Sequence, residues 1–223
     1  MARIEDYKNA AQLAKKELIP KNPKRIASMC GAHFDGSSAE NISLELVFLN
    51  RKVHITWPDL RMSYKDEEKE LPIQEQVLLL HYMRGCLNGA EIVGEWISYK
   101  DLPDGRFYMD AFERRAKIPM LRVFGEKPEL LPKVAKDLFN AVEHDEGDFS
   151  VLIKALPYVP VLLILWKGDD EFPPEGSILF DRGINKILSA EDIAWLSGMV
   201  VYPLIAKIKE YQDEDTRGGR DRK

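Results

Sequence analysis

Residues 156–181 read LPYVPVLLILWKGDDEFPPEGSILFD. The apolar run Val161–Lys167 leads into an acidic turn closed by two prolines, and Ser177–Asp181 follows as a second extended run. Ser150–Leu156 comes just before, joined through Pro157-Tyr158-Val159-Pro160. Three strand-like runs thus succeed one another with no helix between them. Parallel neighbours need a crossover of a dozen residues or more, so strands this close pair antiparallel.

The rest of the chain repeats that grouping. Ile42, Leu44, Leu46 and Phe48 alternate with polar residues, as do Val53, Ile55 and Trp57. This predicts a hairpin closing near Asn50-Arg51-Lys52 and ending at Pro58. Ile4–Ile19 has the three-four spacing of an amphipathic helix, stopped by Pro20 and Pro23. Pro72–Leu87 is apolar nearly all round and predicts a buried helix stopped by Asn88-Gly89. Shorter helices are expected over Tyr108–Arg115 and Pro132–Val142. Ser189-Ala190-Glu191-Asp192 reads as a capping box opening a long helix, Ala190–Tyr211, kinked at Pro203. Ser28–Glu40, Tyr64–Glu70 and Glu143–Asp148 read as loops, with His144 exposed, and Glu95–Tyr99 as a short extended segment. Strands grouped together, rather than alternating with helices, define an α+β fold: a largely antiparallel sheet, packed helices and a long C-terminal helix. The expected organisation is one globular domain over 1–211. A disordered tail should follow over 212–223, where no apolar residue occurs.

Composition narrows the function classes. A chain of 223 residues with 45% hydrophobic content can bury a core without disulfide or metal staples. A net charge of −5 argues against a nucleic-acid binder. Two cysteines give no disulfide framework and suit a reducing compartment. No apolar run spans a bilayer, and MARIEDYKNA has no signal-peptide core, so a cytoplasmic protein without membrane partners is expected.

The chemistry concentrates at one turn. Trp166 and Phe172 flank Asp169, Asp170 and Glu171, and Asp181 ends the next strand. Adjacent carboxylates raise one another's pKa unless a cation compensates, and a hard metal ion would be one such cation. Aromatics beside carboxylates also suit a cationic or flat ligand. Against both stands a solvated turn in which Asp169 or Asp170 caps backbone N–H groups and Lys167 balances charge. Elsewhere, Cys30-Gly31-Ala32-His33 and the pair His81 and Cys86 offer zinc-type donors. His81 and Cys86 lie about 140° apart around a helix, which makes convergence poor. There is no nucleophile elbow and no phosphate-binding glycine loop.

LLLHYMRG (Leu78–Gly85), GEWISYKDLPDGRFY (Gly94–Tyr108), the Leu156–Asp181 stretch and LSAEDIAWLSG (Leu188–Gly198), in this order and spacing, resemble an uncharacterised family of bacterial and archaeal proteins of unknown function. Some of its members look fused to a cysteine-rich iron–sulfur segment of the corrinoid and acetyl-CoA synthase type. The resemblance implies a link to anaerobic corrinoid or one-carbon metabolism, with an iron–sulfur or corrinoid protein as partner. It carries no catalytic residues, and two cysteines leave this chain without such a segment. No cofactor is indicated by the residues themselves. Two functions stay open: a binding or accessory domain taking a small molecule or protein at Trp166, Asp169, Asp170, Glu171, Phe172 and Asp181, or a metal-assisted enzyme using Asp169, Asp170, Glu171 and Asp181.

Overall fold

The computed structural model describes residues 4–38 and 41–218. It forms two compact units, each discontinuous in sequence. Of the described residues, one takes those within 4–95, 155–160 and 181–192; the other takes those within 96–154, 161–180 and 193–218.

The first unit holds α1 (Ile4–Leu18), α2 (Pro23–Cys30), α3 (Ile73–Cys86) and a four-stranded sheet in the order β1-β2-β3-β4. Its strands are β1 (His33–Ser38), β2 (Asn41–Phe48), β3 (Arg51–Trp57) and β4 (Met62–Tyr64), each antiparallel to the next. The predicted hairpin is β2–β3, paired from Ile42↔Trp57 to Phe48↔Arg51. Leu49 and Asn50 close it with φ of 47° and 63°, the two-residue turn whose twist matches the strands. α1 packs on α3 through buried Ala11, Ala14 and Leu18, while Ile4 and Leu13 of the same helix are exposed. Helix α2 and strand β1 correct the expected loop over Ser28–Glu40. Pro23 starts a helix there as well as ending α1, because Asn22 caps it, its side chain accepting from Arg25 N at 3.1 Å.

Tyr82 and Gly85 explain why α3 is buried. Tyr82 is fully buried, yet its hydroxyl donates to Cys30 O at 2.8 Å and accepts from Tyr158 N at 3.3 Å. Gly85 faces the backbone of Ile187, and a Cβ on it would collide with that carbonyl oxygen.

The second unit carries most of a five-stranded sheet in the order β5-β9-β8-β7-β6, formed by β5 (Trp96–Ser98), β6 (Val142–Glu143), β7 (Phe149–Leu156), β8 (Val159–Trp166) and β9 (Glu175–Asp181). β8 and β9 pair antiparallel from Val161↔Phe180 to Trp166↔Glu175, as the stretch 156–181 predicts. Residues 159–165 are buried throughout, which makes β8 the central strand in composition as well as position. Tyr99 stacks on Phe112 at 4.2 Å, and both meet Phe180 edge-on. His144, expected in solvent, is half-buried with its ring edge-on to Trp96 at 6.2 Å.

The expected short helix over Tyr108–Arg115 is longer. α4 (Gly105–Phe112) runs through a wide π turn (Glu113–Lys117) into α5 (Ile118–Phe124). In a regular helix the Pro119 ring would strike the carbonyl of Arg115, and the wide turn, closed by Ile118 N to Glu113 O, relieves that contact. Phe112, Ala116, Met120 and Phe124, spaced by four, all point inward. α6 (Leu130–Phe139) begins two residues before Pro132. α7 (Ala190–Gly218) contains Pro203, and no helix among the described residues is long and apolar enough to cross a membrane. Of the expected tail, 219–223 lie outside the described residues, and the α7 backbone extends through Gly218. Helices and two antiparallel sheets make the fold α+β.

Gly85→Ala gains about 1 kcal/mol of helix propensity. The clash with Ile187 outweighs it, because overpacking costs about 1–3 kcal/mol and the obstacle here is backbone. Urea unfolding should show a net loss of stability; a stabilised variant would refute this packing.

Candidate functional site

The acidic turn is built around Asp169. Its backbone N donates to Phe172 O at 2.9 Å, and its Oδ1 accepts from Glu171 N and Phe172 N, both at 2.8 Å. This is the self-closing turn that a short carboxylate makes with amides two and three residues on. Gly168 is required beside it, since a Cβ would sit 2.7 Å from Pro174 Cδ. Upstream, Lys167 N donates to Asp148 Oδ2 at 2.8 Å and anchors the end of β8. The Phe172 and Glu171 amides hold the Asp169 carboxyl below the ordinary carboxylate range. Charge alone suggests the opposite direction for neighbouring acids. It fails for Asp169 because backbone N–H groups supply the compensating positive end.

The turn forms one wall of a cleft of about 520 Å³. The other wall is the segment Gly125–Glu129 between α5 and α6. Asp169, Asp170, Glu126 and Glu129 line it, against one cation, Lys167. Phe172, Pro128, Pro173 and Pro174 supply its apolar surface. Phe172 is 67% exposed, which is unusual for so large an apolar ring and leaves its face available. Trp166 is 38% exposed, and neither it nor Glu171 lines the cleft. The structure therefore brings Asp169, Asp170 and Phe172 together and adds Glu126 and Glu129. No local pattern marks those two: Glu126 sits beside Lys127 between Gly125 and Pro128, and Glu129 follows Pro128.

Asp181 belongs to a different arrangement, in the first unit. It is 1% exposed, and its Oδ1 accepts from Val93 N at 2.9 Å and Gly183 N at 2.8 Å, while Oδ2 accepts from Gly94 N at 2.6 Å. Arg182 N donates to Glu95 O at 2.8 Å, and Gly183 leaves no room for a Cβ against the Glu91 carbonyl. Asp181 thus ties the 91–95 segment to the end of β9. Among the described residues, no group of three or more His, Cys, Asp or Glu is placed to hold a metal ion. Cys30 and Cys86 are buried thiols; burial pushes Cys30 up to about 11 and Cys86 up to about 12, which keeps both protonated.

His81 does not converge with Cys86, as the helix spacing implies, but has a distant partner. His81 Nδ1 lies 2.8 Å from Asp192 Oδ1, and both side chains are largely buried. Asp192 Oδ2 also accepts from Ser189 N at 3.2 Å, and Ser189 Oγ accepts from Asp192 N at 3.2 Å, which completes the predicted capping box. Burial alone would raise the Asp192 pKa, but His81 and Ser189 hold it below the ordinary range. An ionised Asp192 only accepts, so Nδ1 of His81 carries the proton. The distance of 111 positions between them explains why no local pattern revealed the pair.

Fold and cleft together define an α+β protein with an acidic, aromatic-edged surface cleft. The chain belongs to the family described as a domain of unknown function, DUF3786, which matches residues 22–202. No curated protein and no solved structure matches it.

Two predictions follow from the buried acids. Asp181→Ala leaves three backbone N–H groups without their acceptor and should cost on the order of 3 kcal/mol in chemical denaturation; a loss within error would contradict the role. Asp192→Asn should cost about 1–3 kcal/mol at pH 7. Because the Asp192 pKa is lowered on folding, its contribution is full above the unfolded value of about 3.9 and fades as pH falls through the lower folded value. The gap between variant and parent should therefore close below about pH 4; a gap independent of pH would overturn the assignment.

Proposed function

We propose that this chain is a binding domain whose cleft between Gly125–Glu129 and Gly168–Pro174 takes a cationic group, carried by a polyamine or by a lysine- or arginine-bearing segment of a partner protein. The observation that carries this is the charge of the cleft: four carboxylates face one ammonium around an exposed aromatic ring. Clefts lined by one sign of charge focus the field and raise the local concentration of counter-charged ligands. Phe172 adds a ring face on which a cation is attracted by the quadrupole, and the prolines keep the wall stiff. Asp169 holds the wall in shape while Asp170, Glu126 and Glu129 meet the ligand. The sequence resemblance implies a partner of the iron–sulfur or corrinoid class, and a basic patch on such a protein fits the same chemistry. A metal-assisted reaction is the weaker reading. It would draw on Asp169, Asp170, Glu171 and Asp181, of which Asp169 Oδ1 and both Asp181 oxygens are already engaged by backbone amides.

Calorimetric titration with spermine and with a short arginine-rich peptide tests this, with cobalamin and Mg²⁺ run beside them. The expected result is saturable binding of the two cationic probes that weakens with added salt. The double variant Asp170→Asn with Glu129→Gln should weaken it at least tenfold, about 1.4 kcal/mol. Glu171→Gln, outside the cleft, should leave it unchanged. No saturable heat with either probe, or equal binding by the double variant, would refute the reading. Response to Mg²⁺ alone would favour the metal alternative.

A further inference from the structure

A second cavity of about 250 Å³ lies in the same unit, lined by the end of β5 and the 3-10 turn after it (Tyr99–Asp101), by β9 and by the α4–π-turn run. Its chemistry is the reverse of the acidic cleft. Lys100 and Lys117 contribute two ammonium groups, against one carboxylate from Glu113. Ser177 adds a hydroxyl, and Met109 and Phe112 form an apolar lining. Phe112 is fixed there by its 4.2 Å stack on Tyr99, so this surface is preformed. The π turn runs from Glu113 to Lys117, and both of its ends line the cavity. A π turn within a helix is a rare geometry that is frequent at functional sites, and Pro119 lies just beyond it here.

We propose that this cavity binds a small organic monoanion with an apolar body, of the aromatic or branched-chain carboxylate class. The two lysines and Ser177 hold the carboxylate, and Met109 and Phe112 cover the body. The volume is below the usual range for drug-sized ligands of about 300–1,000 Å³, which selects a small molecule. Its formal excess of one positive charge selects a monoanion over a phosphate dianion. Glu113 adds discrimination by repelling a second negative charge.

The test is NMR of the full chain labelled at methionine methyls, titrated with phenylacetate, its neutral amide phenylacetamide and inorganic phosphate. Phenylacetate should move the Met109 methyl saturably, and phenylacetamide should bind at least tenfold more weakly. Lys117→Gln, which keeps the stem and removes the charge, should weaken phenylacetate binding at least tenfold while leaving the melting temperature unchanged. If Lys117→Gln unfolds the protein, Lys100→Gln at the more exposed position serves for the same comparison. Equal response to acid and amide, tighter binding of phosphate, or no saturable shift at Met109 would overturn the proposal. The acidic-cleft variants leave this titration untouched, so the two sites stand or fall separately.

Discussion

Asp169 accepting two amides from its own turn is the constraint on which the cleft depends. Without it, the three consecutive acids Asp169–Glu171 would repel one another into an open, solvated loop. With it, Oδ1 is committed to the Glu171 and Phe172 amides at 2.8 Å, and the chain is bent back toward Pro173 and Pro174. Phe172 is then held out in solvent at 67% exposure, against the hydrophobic effect. A large exposed ring kept beside carboxylates by a closed turn is the feature on which the proposed binding role rests.

The same rule assigns the other acids. What a carboxylate does here is set by the amides that reach it. Asp181 meets three of them and is a buried knot; Asp192 meets the Ser189 amide and the His81 ring and caps α7. Asp170, Glu126 and Glu129 stand on the cleft wall. A negative sequence thus splits into acids that organise backbone and acids that face outward. The second cavity, with its two lysines, shows that the surface carries both signs in separate, local arrangements.

Much of the fold was legible because it follows from local periodicity. Alternation at Ile42–Trp57 and the apolar run before Trp166 gave the hairpins, and Ser189 with Asp192 gave the start of α7. Two misreadings of helices share one cause, the double meaning of proline. Pro23 ends one helix and opens the next; Pro119 sits inside a helical run that a wide turn lets continue. Phe112, Ala116, Met120 and Phe124 carried the signal for that run, at a spacing a regular helix does not quite match. The candidate site was half legible. Asp169, Asp170 and Phe172 are contiguous and conspicuous, whereas Glu126 and Glu129 reach the cleft through tertiary packing. Asp181 was adjacent to the turn in sequence pattern, but the amides of Val93, Gly94 and Gly183 define its place. His81 and Asp192 meet only in three dimensions.

The division of labour among the acids is tested most directly by side-chain carboxyl carbon NMR during a spermine titration. The account predicts saturable shifts at Asp170, Glu126 and Glu129, with the resonances of Asp169 and Asp181 staying near their starting positions. Uniform small shifts across all exposed acids, or the largest shift at Asp169, would contradict it.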